Sequence, residues 1–276
     1  MEQLSGSRWT RIVESAGELV VGLDFDGVLA PIVDDPERAV IHHRAPALLA
    51  RLGARVRAIA VITGRPAGQA LALGGLEAVG EQVRASGGVL RVLGQYGNER
   101  WSSEEPVVVT PDPPAGVAAL LDELPALLAD ADASGAWVEE KGLAVGVHTR
   151  RLQDGAAAYD RLEGPLREAA ERHGLHLEPG RMVLELRAPG ADKGDAVREA
   201  VTDHDAGAVL YAGDDLGDVP AFDAVEALAG EQHLPGFLVC SGSGEQQALV
   251  GRADVVVEGP DGVMDLLERL AEAIGA

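Results

Sequence analysis

Short apolar segments alternate with helical patterns along most of this chain, and this alternation limits the possible fold more than any other feature. Each segment has the usual length of a buried strand and is too short for a buried helix. The segments are Leu19–Asp24, Val56–Ile62, Val89–Leu93, Ala208–Ala212, Gly236–Cys240 and Asp254–Val257. Strands that alternate with helices predict a parallel sheet with helices on both faces. The sequence therefore indicates an α/β fold.

The connections between these segments complete the outline of a sheet domain. Predicted helices lie at Ala45–Arg55, Pro66–Leu76, Ala191–His204, Val219–Leu228 and Gly262–Ala273. Residues 94–101 and Ser241–Gly244 are predicted as loops.

A different pattern interrupts the sheet domain. Pro111–Pro114 is the strongest breaker cluster of the chain, and Pro189-Gly190 precedes the return of the first pattern. Between them the order is helix, strand, strand, helix, strand, strand, which predicts a small antiparallel sheet covered by two helices. We therefore predict a discontinuous core domain, residues 1–110 and 190–276, and an inserted α/β domain, residues 111–189.

The charge balance excludes one class of partner. The 276 residues carry 45 acidic and 23 basic side chains, a net charge of -22. Such a field repels polyanions, so no nucleic-acid partner is expected, and an anionic substrate would need a local cation. No apolar stretch reaches the ~18 residues of a membrane span, and residues 1–17 are unlike a signal peptide. We expect a cytoplasmic protein with no membrane partner, and a monomer by default.

Acidic side chains follow two of the predicted strands. Asp24 and Asp26 come at the end of the first strand, and Asp214, Asp215 and Asp218 follow the fourth. Ligands of parallel sheets bind at the carboxyl ends of strands, and carboxylate oxygens are the ligands that Mg²⁺ prefers. Either group alone could instead stabilise a turn or cap the N-terminus of a helix. Two such groups together favour a metal site.

Two further segments could bind an anion. Thr63-Gly64-Arg65 lies between a predicted strand and a helix, where a hydroxyl and backbone N–H groups can cradle phosphate, although a simple helix cap explains Thr63 equally well. Lys193 begins a predicted helix, where a cation is electrostatically misplaced unless it faces anions. The alternative is a solvent-exposed lysine. Lys141 and Lys193 are the two lysines of a chain that otherwise uses arginine.

Taken in order, these motifs resemble those of the haloacid dehalogenase-like phosphatases. Asp24-x-Asp26 is similar to the nucleophile motif of that superfamily, Thr63 to its phosphate-binding hydroxyl, Lys193 to its phosphate-neutralising lysine, and Asp214-Asp215 to its acidic metal motif. The resemblance implies a Rossmann-like parallel sheet core with an inserted α/β cap domain, which the superfamily places between its second and third motifs.

Nearly the whole chain from Leu19 onward resembles the trehalose-6-phosphate phosphatase family. The matching segments are Asp24–Gly27 with Leu29 and Pro31, Thr63–Arg65, Gly94–Gly97 with Glu99, Val138–Gly142, His148–Arg150, Glu185–Arg187, Pro189-Gly190, Lys193-Gly194, and Gly213–Asp215 with Asp218 and Phe222. Val28 and Gly217 depart from the pattern, since the family often has Thr at both positions. Neither departure removes a charged group.

The resemblance implies the chemistry of the site. Asp24 would attack phosphorus and form an aspartyl-phosphate, and Asp26 would protonate the leaving oxygen and then activate water. Thr63 and Lys193 would hold the remaining phosphate oxygens.

The resemblance also implies a cofactor and a set of substrate contacts. Mg²⁺ would bind Asp24, the backbone carbonyl of Asp26 and Asp214, and Asp215 and Asp218 would support these ligands. The implied substrate-binding residues are Asp24, Phe25, Asp26, Thr63, Gly64 and Arg65 in the core and Glu139, Lys141, His148, Arg150 and Glu185 in the cap.

Three functions stay open at this stage. The first is hydrolysis of trehalose 6-phosphate, the last step of trehalose biosynthesis. The second is hydrolysis of another sugar phosphate, such as sucrose phosphate or a mannosyl-glycerate phosphate, and the cap residues Glu139 and Lys141 would separate these two. The third is a sugar-phosphate sensor without activity, which would have no need for both the nucleophile Asp24 and the proton donor Asp26.

Overall fold

The structure is a computed structural model that describes residues 6–33, 35–180, 182–188, 190, 192–242 and 247–276. The chain divides into two compact units, Met1–Thr110 with Ala191–Ala276 and Pro111–Gly190. Pro189, Ala191 and the predicted loop residues Ser243 and Gly244 lie outside the described residues.

The larger unit contains a seven-stranded sheet in the order β11-β10-β9-β1-β2-β3-β4. Its strands are β1 (Leu19–Leu23), β2 (Ala58–Ile62), β3 (Leu90–Gly94), β4 (Glu99–Ser102), β9 (Ala208–Gly213), β10 (Gly236–Ser241) and β11 (Val255–Val257). Neighbouring strands are parallel except for the antiparallel pair β3 and β4. The predicted α/β fold with a mostly parallel sheet is confirmed.

Helices cover both faces of this sheet, which explains why its strands are apolar throughout. The helices are α1 (Ser7–Glu14), α2 (Ala45–Gly53), α3 (Ala67–Gly74), α4 (Leu76–Ala85), α7 (Lys193–Asp203), α8 (Val219–Glu231), α9 (Gln247–Val250) and α10 (Gly259–Ile274). On one face Val21 of β1 joins a core with Leu49 of α2, and on the other face Val20 joins a core with Phe222 of α8.

The strand order of the sheet reverses at β1, because β2 to β4 lie on one side of β1 and β9 to β11 lie on the other. β1 pairs with β2 on one side and with β9 on the other, and Leu23 of β1 lies opposite Ala212 of β9. The amide of Asp24 donates a hydrogen bond to the Ala212 carbonyl at 3.0 Å, so β1 and β9 end side by side. Such a switch point is where open α/β sheets bind their ligands.

The smaller unit is a four-stranded antiparallel sheet in the order β5-β6-β8-β7 with two helices. Its elements are α5 (Ala115–Asp130), β5 (Trp137–Glu140), β6 (Ala144–His148), α6 (Gly155–Arg172), β7 (His176–Gly180) and β8 (Val183–Arg187). Val145 and Leu186 pack in a core with Leu120 of α5 and Leu162 of α6. Because side chains alternate along a strand, residues such as Glu139 and Glu185 lie on the other, polar face of the sheet.

Two sequence predictions in the larger unit are wrong. The predicted helix Pro66–Leu76 is α3, which already ends at Gly74, and a second helix that the sequence did not predict, α4, begins at Leu76, because Gly75 adopts a left-handed conformation (φ 55°) between them. Residues 94–101 are not a loop throughout, since β4 begins at Glu99 and Trp101 pairs with Val92 of β3. Trp101 is buried, and this burial holds β4 at the edge of the sheet.

No helix in the described ranges is both long and apolar enough to cross a membrane.

Candidate active site

The acidic segments that follow β1 and β9 meet at the switch point. Carboxylate oxygens of Asp24, Asp214 and Asp218 lie within 4.8 Å of one another, and all three residues are buried. Asp24 and Asp214 come together as the sequence suggested. Gly27 permits this approach, because its φ is +73° and a Cβ there would lie 2.2 Å from Asp214 Oδ2.

Lys193 provides the positive charge of this cluster. Its Nζ lies 2.8 Å from Asp24 Oδ2 and 2.7 Å from Asp218 Oδ1, and its side chain is only 5% exposed. The alternative of a solvent-exposed lysine is therefore wrong. Burial alone would lower the pKa of Lys193, but the carboxylates of Asp218 and Asp24 outweigh burial and raise this pKa well above its usual range. Lys193 is thus a fixed cation beside Asp24.

Asp218 organises the segment that carries Asp214. Its Oδ1 accepts hydrogen bonds from Lys193 Nζ and from the Tyr211 hydroxyl, both at 2.7 Å. Its Oδ2 accepts from the backbone amides of Asp214 at 2.8 Å and Asp215 at 3.2 Å. With two donors on each oxygen, Asp218 has little capacity left for a metal, and its hydrogen bonds instead hold Lys193 and the backbone of Asp214 in place.

Asp215 has a similar supporting contact, since its Oδ1 accepts from the amide of Gly217 at 2.8 Å.

Tyr211, whose hydroxyl binds Asp218, is not among the residues that the sequence predicts for the site. The signal that could have found it is its position on β9 shortly before Gly213-Asp214, where a buried hydroxyl needs a partner.

The carboxylates of Asp24 and Asp214, with that of Asp215 beside them, are suited to a divalent cation. Burial raises the pKa of Asp24 well above its usual range, and burial with the charges of Asp218 and Asp215 raises the pKa of Asp214 to about 8. Burial also raises the pKa of Asp215. The buried carboxylates of Asp24, Asp214 and Asp218 lie together around the single charge of Lys193, so the cluster has more negative charge than this lysine balances. Carboxylate oxygens are the donors that hard divalent cations prefer, so the residues fit the metal implied by the sequence.

Asp26 and Arg65 form a second ion pair at this edge of the sheet. Arg65 Nε donates to Asp26 Oδ2 and Nη2 donates to Oδ1, both at 2.7 Å. Thr63 is buried, and its Oγ1 accepts from the amide of Arg65 at 3.1 Å.

Phe25 was a candidate for substrate binding, but its side chain is fully buried in the core, so only its backbone is available. Its amide donates to Asp24 Oδ1 at 2.7 Å.

The segment Gly94–Gly97 supports the Thr63–Arg65 loop. Gln95 and Tyr96 both have positive φ, 45° and 62°. This strained turn lets the Tyr96 amide donate to the Thr63 carbonyl at 2.9 Å and the Gln95 amide donate to the Arg65 carbonyl at 2.8 Å. Gly94–Gly97 matches the family pattern in the sequence, but the sequence alone does not indicate that these residues support the Thr63–Arg65 loop.

Ser241 is another residue that the sequence reasoning missed. It is buried at the end of β10, and its Oγ donates to the Gly27 carbonyl at 2.5 Å. The signal was available, because Ser241 also stands at the carboxyl end of a parallel strand.

The cap candidates lie together on the polar face of the smaller unit. Glu139 of β5 and Glu185 of β8 both lie opposite Gly146 of β6. Lys141 forms an ion pair with Glu185, and its Nζ lies 3.9 Å from Glu139 Oε2.

His148 belongs to the same cluster. Its Nε2 lies 2.9 Å from Glu139 Oε2, and its ring stacks on Trp137 with centroids 4.4 Å apart. Arg150 is exposed beyond the end of β6. Four of the predicted cap residues, Glu139, Lys141, His148 and Glu185, therefore form one polar cluster.

Loss of Lys193 should destabilise the larger unit strongly. In Lys193→Met the buried carboxylates of Asp24 and Asp218 lose their cation, and breaking a buried pair in this way costs about 3–5 kcal/mol of unfolding free energy. Arg198→Met is a matched control on the same helix, since Arg198 forms only an exposed pair with Asp195 at 3.4 Å, worth about 0–1 kcal/mol. Urea unfolding measures both, and equal losses would contradict the prediction.

Comparisons with known proteins agree with this geometry. The model of the trehalose-phosphatase family matches residues 120–252. An uncharacterized glycosyl hydrolase of Mycobacterium tuberculosis is 37% identical over 74% of the chain, and a trehalose-phosphate phosphatase of Mycolicibacterium paratuberculosis is 31% identical over 92% of it. The chain spans 15% of the first relative and 62% of the second.

A solved structure gives the same fold. The C-terminal domain of a Candida albicans trehalose-6-phosphate phosphatase has a TM-score of 0.78, with 97% of each chain covered and 18% identity. At that identity the likeness bears on the fold alone.

Proposed function

Because this chain belongs to the trehalose-phosphatase family, we propose that it is a phosphatase that hydrolyses trehalose 6-phosphate to trehalose and phosphate. The observation that carries the proposal is Asp24, a buried carboxylate held by Lys193 beside Asp214 at the switch point of the sheet. In this proposal Pro111–Gly190 is the cap domain, and the enzyme acts in the cytoplasm as the last step of trehalose biosynthesis.

Asp24 begins the reaction as nucleophile. Lys193 and the amide of Phe25 hold its two oxygens, which fixes the carboxylate toward the substrate. An Asp24 oxygen forms a bond to phosphorus, the bond from phosphorus to the sugar oxygen breaks, and Asp26 gives that oxygen a proton. The products of this step are trehalose and an aspartyl-phosphate.

Asp26 then acts as the base. It takes a proton from water, the water oxygen forms a bond to phosphorus, and the bond to Asp24 breaks, which releases phosphate. Thr63 and Lys193 hold phosphate oxygens during both steps. Mg²⁺, bound by Asp24, the Asp26 carbonyl and Asp214, would neutralise the charges that otherwise keep the nucleophile and the phosphate apart.

The substrate is tested by phosphate release from a panel of sugar phosphates. We expect trehalose 6-phosphate to have the highest kcat/KM. A preference for sucrose phosphate or a mannosyl-glycerate phosphate would keep the phosphatase but change its substrate. Binding of sugar phosphates without any release would indicate a sensor.

The polar cluster of the cap should determine which sugar is accepted. Glu139, Lys141 and Glu185 offer an acceptor, a donor and an acceptor to a hydroxyl-rich ligand, and we propose that they contact the sugar together with His148. In Glu139→Ala or Lys141→Ala, loss of one buried hydrogen-bond partner costs about 1–3 kcal/mol, which lowers kcat/KM for trehalose 6-phosphate roughly tenfold or more.

A small phosphate ester provides the control for this prediction. Hydrolysis of an ester that lacks the sugar should change far less in the same variants. Glu140→Ala is a matched variant, because Glu140 is exposed and adjacent to Glu139 on β5 but alternates to the other face. Equal losses on both substrates would contradict a role in sugar recognition.

A further inference from the structure

Arg65, for which the sequence resemblance implies a substrate contact, donates most of its hydrogen bonds to protein acceptors in this structure. Two of its N–H groups bind the Asp26 carboxylate as a fork, at 2.7 Å each. Nη1 donates to the Pro36 carbonyl at 2.9 Å and to Gln69 Oε1 at 3.3 Å. A guanidinium has five N–H donors, so these four contacts leave one.

The two members of the pair differ in how firmly they are held. The Arg65 side chain is 10% exposed and the Asp26 side chain is 38% exposed. The Arg65 Cζ also lies 5.5 Å from the centroid of the buried Phe25 ring. Arg65 is therefore the anchored partner, and Asp26 depends on it for a fixed orientation.

We propose that Arg65 is a positioning residue that orients the Asp26 carboxylate toward the water that hydrolyses the aspartyl-phosphate. The inference rests on the proposed function, because only a covalent phosphatase has this step. The fork fixes the plane of the carboxylate, and each oxygen keeps a second lone pair that can take the water proton. As that proton moves to Asp26, the water oxygen bonds to phosphorus and the bond between phosphorus and Asp24 breaks.

A substrate with a good leaving group separates this role from phosphate binding. From 4-nitrophenyl phosphate, nitrophenolate leaves with the electron pair of the broken phosphorus–oxygen bond and needs no proton. Formation of the aspartyl-phosphate is then independent of Asp26, whereas its hydrolysis still requires Asp26 as the base.

Stopped-flow measurement of nitrophenolate release is the test. In Arg65→Leu we expect a burst of about one nitrophenolate per active site at the wild-type rate, followed by a steady rate ~10²-fold below wild type, the usual scale of acid–base catalysis. KM should not rise. Arg65→Lys should recover only part of the loss, because an ammonium cannot form the fork.

A double variant tests whether Arg65 acts through Asp26. In Asp26→Ala the carboxylate is already gone, so adding Arg65→Leu should cause no further loss in the steady rate. The burst itself shows that the variants are folded and that their nucleophile is intact.

Three results would overturn the inference. A slower burst with a raised KM would make Arg65 a phosphate ligand, additive losses in the double variant would make it independent of Asp26, and an unchanged steady rate would remove it from the mechanism. A wild-type protein that forms no phosphoenzyme would contradict the proposed function itself. A normal wild type with an unaffected Arg65→Leu would contradict the inference alone.

Discussion

Asp24→Asn should abolish phosphate release from trehalose 6-phosphate while the protein stays folded. An amide has the shape of the carboxylate but cannot attack phosphorus, and loss of a covalent nucleophile lowers turnover by ~10⁴-fold or more. The fold should persist, because the remaining side-chain oxygen of the amide can still accept from the backbone N–H of Phe25 or from Lys193. Phosphate release and the melting temperature measure the two expectations separately.

A carboxylate outside the site gives the matched control for this prediction. Asp223 is an exposed residue of α8 that pairs with Arg252 at 2.6 Å, so Asp223→Asn removes one negative charge away from the site. Its turnover should match the wild type. If Asp24→Asn retains wild-type turnover with verified purity, the aspartyl-phosphate route is wrong.

The sheet could be predicted because its local signals agree with one another. A strand that is apolar on both faces, such as the one predicted at Val56–Ile62, is removed from water only when helices cover both faces of its sheet. The parallel arrangement then brings strand ends together, which is why Asp24 and Asp214 could be paired from sequence although 190 positions separate them. The same rule applies to Ser241, which directly follows the predicted strand Gly236–Cys240, although the glycines and serines around it predict a loop.

Side-chain pairing could not be predicted in the same way. Arg65 and Asp26 are 39 positions apart, and Nε and Nη2 of the guanidinium face the carboxylate while Nη1 donates to the Pro36 carbonyl and to Gln69 Oε1. That choice depends on packing between segments, for which the sequence has no periodic signal. The fully buried ring of Phe25 illustrates the same limit, since adjacent residues at a strand end face different surroundings.

Removal of divalent metal should stop turnover, and Mg²⁺ should restore it. The site holds the carboxylates of Asp24, Asp214 and Asp218 against one buried ammonium, so a phosphate ester meets an excess of negative charge without a cation. The net charge of -22 adds to this repulsion. Phosphate release after chelation and after addition of Mg²⁺ measures the effect. Full turnover in excess chelator, after metal removal is verified, would contradict it.

Metal affinity should also depend on pH in a direction fixed by Asp214. Burial and the charges of Asp218 and Asp215 raise the pKa of Asp214 to about 8, so below that pH the metal-free site carries a proton that binding must displace. The apparent affinity for Mg²⁺ should therefore rise about tenfold per pH unit below pH 8 for each proton released and level off above it. Calorimetric titration across this pKa, in buffers of different ionisation enthalpy, measures affinity and proton release together. An affinity that is constant over this range, with no proton released, would show that Asp214 is already ionised and that another cation balances the cluster.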